Sequence, residues 1–124
     1  MNTVIETVNN IFESRNITAR NAVLDAAAGT CLWFCTEQDG FTYSVFLRGG
    51  KNVELRKFLG EFETDPAAGF GALPQGIQLD GTDGELFCAA RYPADEQLTM
   101  CLDVFSETAH RLFSIAEASA SKET

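Results

Sequence analysis

Two runs rich in β-branched and aromatic residues, "CLWFCTE" and "FTYSVFLR", face each other across "QDG". Sheet-forming runs on either side of an Asp-Gly turn signal predict a β-hairpin. In the second run Phe41, Tyr43, Val45 and Leu47 share one face, and Thr42, Ser44, Phe46 and Arg48 share the other. In the first, Leu32 and Phe34 alternate with Cys31, Trp33 and Cys35, so both faces are apolar. A sheet with helices on one side only is expected to be polar on its other side. The hairpin therefore demands a fold, or an assembly, that covers more than one face.

The flanking segments supply the covering. "TVIETVNNIF" places Val4, Ile5, Val8, Ile11 and Phe12 at helical spacing, and Thr3 with Glu6 fits a capping box, which predicts a first helix ending near Asn16. An irregular first strand is expected around Ala22 to Asp25. After Gly49 and Gly50, the residues Leu55, Phe58, Leu59 and Phe62 recur at i, i+3, i+4, i+7, which predicts a second helix from about Asn52 to Glu63. Thr64 to Gly76 has the composition of a loop. "GIQLD" and "ELFCAARY", joined by "GTDG", read as a second hairpin. From about Asp95, the series Leu98, Cys101, Leu102, Phe105, Ala109, Leu112, Phe113 and Ala116 traces a long last helix. The expected class is α+β: an antiparallel sheet of about five strands with helices packed on it, in the order α-β-β-β-α-β-β-α.

A chain of 124 residues suits one domain, and its hydrophobic content of 45% supports a core without staples. We expect that domain over residues 1–116, with 117–124 as a flexible tail. The chain carries 18 Asp and Glu against 9 Lys and Arg, with no basic run. Nucleic acid and anionic membrane surfaces are therefore not expected as partners. The N-terminus lacks a basic region followed by an apolar one, and no apolar run reaches the roughly 20 residues of a membrane span, so a cytoplasmic location is expected.

No residue set announces catalysis, a metal or a cofactor. If "CLWFC" is a strand, the α-carbons of Cys31 and Cys35 stand about 13 Å apart, beyond the roughly 4.4 to 6.8 Å of a disulfide. The four cysteines read as small buried hydrophobes. On a helical wheel His110 falls with Asp103, Glu107 and Ser114, away from the apolar stripe, on a face expected to be solvated. "DGTDG" lacks the spacing of a calcium loop and reads as a hairpin turn. "RGGKN" sits between an expected strand and an expected helix, where free backbone N–H groups bind anions. Arg48, Gly49, Gly50 and Lys51 are thus candidates for a small anionic ligand, although Gly49 and Gly50 also suit a plain turn.

Apolar surface is the more informative signal. Besides the two-faced strands, Val104, Thr108 and Ile115 widen the apolar arc of the last helix beyond the ~100° that one packing contact needs. A second copy or another protein is expected to cover that excess. Trp33, Phe46, Val104 and Ile115 are the residues expected on that surface.

The element order, with a Phe-Gly loop feeding "GIQLDGTDGELFCAARYP" and then "DEQLTMCLDVFSETAHRLF", resembles the YbjN-like family and, more distantly, the type III secretion chaperones that share its fold. The resemblance covers most of residues 3 to 116. It is carried by Ile77 to Asp80, the "GTDG" turn, Glu85 to Tyr92, Pro93, and the helix containing Leu98 and Thr99. It implies a non-enzymatic protein-binding module, chaperone-like or regulatory and usually a homodimer, with no catalytic residues and no cofactor.

Overall fold

The computed structural model describes residues 3–25, 27–62 and 70–123. Helix α1 (Thr3–Ser14) leads into strands β1 (Thr18–Asp25), β2 (Thr30–Thr36), β3 (Thr42–Arg48), β4 (Asn52–Glu61), β5 (Ile77–Thr82) and β6 (Glu85–Pro93), and helix α2 (Leu98–Glu123) closes the chain. The strands form one antiparallel sheet in the order β1-β2-β3-β4-β6-β5. The α+β class is as expected, with six strands rather than five. The backbone of α2 runs on through residues of the segment expected as a tail, 117–124, of which Thr124 lies outside the described residues. Part of the loop expected over Thr64 to Gly76, residues 63–69, lies outside them too.

The sixth strand is the segment expected to be helical. Asn52 to Glu61 is β4, paired along one edge to β3 and along the other to β6. Val53 and Leu55 point to the core with Glu54 and Arg56 opposite them, which is strand alternation. A bulge between Phe58 and Gly60 then shifts the register, and Leu59 and Phe62 are buried. Apolar residues at 55, 58, 59 and 62 thus satisfy a helical period and a bulged strand equally. Two ladders of hydrogen bonds decide for the strand, since without β4 nothing would join β3 to β6.

Both helices lie on one face of the sheet. Pairs directly opposite across antiparallel strands share a face, so the register lists each face row by row. One row inward is Asn21, Trp33, Val45, Leu55, Ala90 and Ile77; another is Leu24, Cys31, Leu47, Val53 and Tyr92. Onto these α1 sets Ile5, Val8, Ile11 and Phe12, and α2 sets Leu98, Leu102, Phe105, Ala109, Leu112 and Ala116. The rings of Phe12 and Trp33 meet edge to face at 5.6 Å, and the Trp33 indole N–H donates to Asn9 Oδ1 at 2.8 Å. Arg111 of α2 donates to the carbonyls of Phe70 and Ala72, tying the segment before β5 to the helix.

Candidate binding face on the open side of the sheet

With both helices on one side, the opposite side of the sheet has no cover from any described element. Its rows follow from the same register: Arg20, Phe34, Ser44, Arg56, Ala89 and Gln78 in one, and Val23, Leu32, Phe46, Glu54 and Arg91 in the next. Asp25, Thr30 and Arg48 form the row beyond these, and at the other end Phe58, Phe87 and Asp80 are followed by a last row of Glu61, Glu85 and Thr82. Phe34 and Phe58 are each 44% exposed. Leu32, Phe46 and Phe87 are half-buried by their neighbours.

Arginine side chains lie over this aromatic floor. The guanidinium carbons of Arg20, Arg48 and Arg56 sit 5.5, 4.7 and 4.5 Å from the ring centroids of Phe34, Phe46 and Phe87. Such contacts set the cation over the negative face of the ring. Arg56 also pairs with Asp80 at 2.9 Å and Glu54 at 3.3 Å, and Arg91 lies 3.6 Å from Glu54. Among the described residues, Arg20 and Arg48 have no carboxylate partner.

The four residues expected on one binding surface do not come together. Trp33 is 0% exposed and belongs to the core. In "CLWFC" it is Trp33 that faces the helices and Phe34 that faces out, because the Trp33 indole has Asn9 and Phe12 to meet it. Phe46 is on the open face. Val104 is exposed on the outer side of α2, beside Met100 at 74% exposure, whereas Ile115 packs against the core.

The anion reading of Arg48 to Lys51 loses the helix it was argued from. No helix follows the glycines; they form the three-residue β3–β4 hairpin with Lys51. Gly49 has φ 76°, its N–H donates to the carbonyl of Gly29 at 2.9 Å, and a Cβ there would lie 2.8 Å from the Ala28 carbonyl oxygen. Glycine is a requirement of the turn. What remains is a shallow groove of about 240 Å³ at the end of the open face, lined by Phe46, Arg48, Lys51, Asn52, Glu54 and Arg91.

A second polar cluster escaped the sequence reading. The face of Asp103, Glu107 and Ser114 is exposed as expected, but His110 on it is half-buried and engaged: its ring stacks on Phe41 at 3.7 Å, and its Nε2 lies 2.9 Å from Glu37 Oε1 and 3.5 Å from Asp39 Oδ2. The Ser106 hydroxyl donates to Glu37 Oε2 at 2.6 Å. The ligand-type atoms of Glu37, Asp39 and His110 lie within 4.8 Å of one another, so these residues could hold a cation. Both Glu37 oxygens are already engaged, and Ser106 bonds to Glu37 rather than to His110. The cluster is thus a clasp between the β2–β3 turn and α2.

The thiols are similarly unsuited to chemistry. All four cysteines are free, with Cys31, Cys35 and Cys88 buried. Burial pushes Cys35 up to about 12, with the nearby Glu37 charge adding to it, and burial pushes Cys88 up to about 11. Burial also raises Cys31 and Cys101. A reactive cysteine needs the opposite shift.

Among the described residues, no helix is long and apolar enough to cross a membrane. Comparison of the chain with family models, with curated proteins and with solved structures found no match in any of the three.

Proposed function

We propose that this chain is a non-enzymatic binding module, chaperone-like or regulatory, that holds another protein on the open face of its sheet. The observation that carries the reading is a set of four phenylalanines, Phe34, Phe46, Phe58 and Phe87, on a sheet surface that no described element covers, two of them nearly half exposed. Exposed aromatic side chains gathered on one surface of a stable domain mark interaction sites, because leaving them in water forfeits about 1.5–3 kcal/mol for each full side chain. The resemblance to YbjN-like proteins and secretion chaperones points the same way. Its strand, Asp-Gly turn, strand and closing helix correspond to β5, β6 and α2, while the expected middle helix is not part of the fold.

A cytoplasmic homodimer belongs to the proposal. Self-association through another surface would leave the open face free for the partner. The unpaired edge of strand β1, where Leu24 is 57% exposed, provides one.

The test is affinity capture with three baits run in parallel: the wild type, a Phe34→Glu/Phe46→Glu double variant, and a Met100→Glu/Val104→Glu control on α2. A stoichiometric partner lost only from the open-face variant supports the reading. A partner lost from the α2 control and kept by the open-face variant moves the site to the helix.

A second reading is favoured by the convergence of Arg48, Lys51 and Arg91 on the groove at the end of the face. Here a small anion, such as a phosphate-bearing metabolite, would bind instead of a protein. Ligand at 100 times its Kd would stabilise the fold by about 2.7 kcal/mol, so a thermal-shift screen decides it.

A further inference from the structure

Among the described residues, the two carboxylates of the β2–β3 turn, Glu37 and Asp39, have no lysine or arginine partner; Arg15, on the wall of the same cavity, is paired with Asp103. What the two share is the one histidine of the chain, whose Nε2 lies 2.9 Å from Glu37 Oε1 and 3.5 Å from Asp39 Oδ2. We infer that Glu37, Asp39 and His110 form a binding site for a divalent transition-metal ion, zinc or manganese, that fastens the β2–β3 turn to α2. The site lies with α2 on the helix side of the sheet, so the inference stands independently of the open-face reading.

The spacing fits one ion. Bonds of about 2.0–2.2 Å from a zinc ion to an imidazole nitrogen and to carboxylate oxygens set neighbouring ligand atoms roughly 3 to 3.5 Å apart. Here the three ligand atoms lie within 4.8 Å of one another. Each carboxylate is held by its other oxygen: Glu37 Oε2 accepts from the Ser106 hydroxyl at 2.6 Å, and Asp39 Oδ1 accepts from the Phe41 N–H at 3.0 Å. Oε1 and Oδ2 are the oxygens turned to His110, whose ring is fixed by its stacking on Phe41. Outer contacts of this kind orient the ligands of a metal site. A separate observation points to an occupant. Tyr43 is 5% exposed and lines a cavity of about 320 Å³ together with Glu37, Asp39 and Ser106, and its buried hydroxyl has no hydrogen-bond partner of good geometry among the described residues. Such a hydroxyl is costly unless something from outside the chain meets it, and water bound to an ion does so. The donor set selects the class of ion, because imidazole with carboxylates suits zinc and manganese, whereas calcium takes oxygen ligands. Two carboxylates also neutralise a divalent charge, in a chain whose formal net charge of -9 favours cations. Asp39 is 61% exposed, so the site opens to solvent and water completes the ion's coordination.

The inference is tested by isothermal titration calorimetry of the untagged full chain, freed of metal with a chelator, against zinc, manganese, cobalt(II), calcium and magnesium chlorides, with a thermal melt of each mixture. Zinc should bind one to one, at least about tenfold tighter than calcium or magnesium, and should raise the melting temperature. Cobalt(II) should show the visible absorption of a nitrogen and oxygen site, without a sulfur-to-metal charge-transfer band. Asp39→Asn and His110→Gln should each weaken zinc binding by at least about tenfold, since changes even to the outer contacts of a metal site cost about 10–100-fold. The circular dichroism of both variants should match the wild type, and the exposure of Asp39 makes its variant the one least able to disturb the fold. Cys101→Ser, at the one cysteine that is not buried, should bind zinc as the wild type does. The inference is overturned if the wild type binds neither zinc, manganese nor cobalt(II) saturably, or if calcium binds more tightly than zinc. It is equally overturned if zinc binding is unmoved by Asp39→Asn and His110→Gln or is lost in Cys101→Ser, because the ion then sits elsewhere.

Discussion

Trp33 and Phe34 are neighbours in the chain and opposite in role. The indole fills the space under α1, held edge-on by Phe12 and by its bond to Asn9, while the phenyl ring beside it faces water under Arg20. Trp33→Ala should therefore cost about 3–5 kcal/mol in urea unfolding, the range for emptying a large core site. Phe34→Ala should cost about 1 kcal/mol or less, because half its surface is in water already. Comparable losses at the two positions would contradict the assignment of faces. The alternation in "CLWFC" was visible in the sequence, but both sets of alternating residues are apolar, so nothing local said which set points inward. Asn9, which chooses Trp33, lies 24 residues earlier. His110 has the same history: its wheel position was legible, and its partners Glu37 and Asp39 arrive from 73 and 71 residues away across the β2–β3 turn.

At the scale of elements, the two hairpins, the first helix and the last were legible because each rests on local chemistry: a capping box, Asp-Gly turns and uninterrupted periodicity. Strand β4 was not, because its partners are non-local and its bulge imitates a helical period. The bulge makes its own prediction. Gly60 has φ 139°, and a Cβ there would come within 3.3 Å of the Phe62 ring. Gly60→Ala should lower stability by about 1–3 kcal/mol, the cost of a non-glycine residue in such a conformation, whereas the same change in a helix would raise stability by up to about 1 kcal/mol. The sign of that single change, measured by urea denaturation, separates strand from helix. The misreading also hid Phe58 and Arg56, which as helix residues would have had no reason to join Phe34 on one surface. The centre of the open face, Glu54, Arg56 and Phe58, thus disappeared with β4.

For the whole molecule, two properties follow from where groups are buried and where charge collects. Burial holds Cys35 at about 12 and Cys88 at about 11 against the ordinary thiol value of 9.0, and Tyr92 at about 12 against 10.0, and it raises Tyr43 as well. These groups keep their protons in the fold after the unfolded chain has lost them. Their contribution is fully present below about pH 9 and is lost as pH rises toward 11 to 12. The urea midpoint should stay flat from about pH 7 to 8.5 and fall steeply by about pH 10.5; a midpoint that holds through that range would mean the thiols and phenols are not buried in this way. Charge is distributed as unevenly as burial. Net composition pointed to an acidic molecule with no basic run, and the register gathers four of the six arginines on the open face together with Asp25, Glu54, Glu61, Asp80 and Glu85. A sequence shows charges in order; only the pairing of strands shows which of them share a face.

The central claim is that this face is where the protein binds its partner. The most direct measurement is an amide chemical-shift map of isotope-labelled protein titrated with the partner recovered by capture. Shifts concentrated on Arg20, Phe34, Phe46, Arg48, Arg56 and Phe87, with α1 and the outer side of α2 unmoved, are the predicted result. Shifts concentrated around Met100 and Val104, with the open face unmoved, would contradict it.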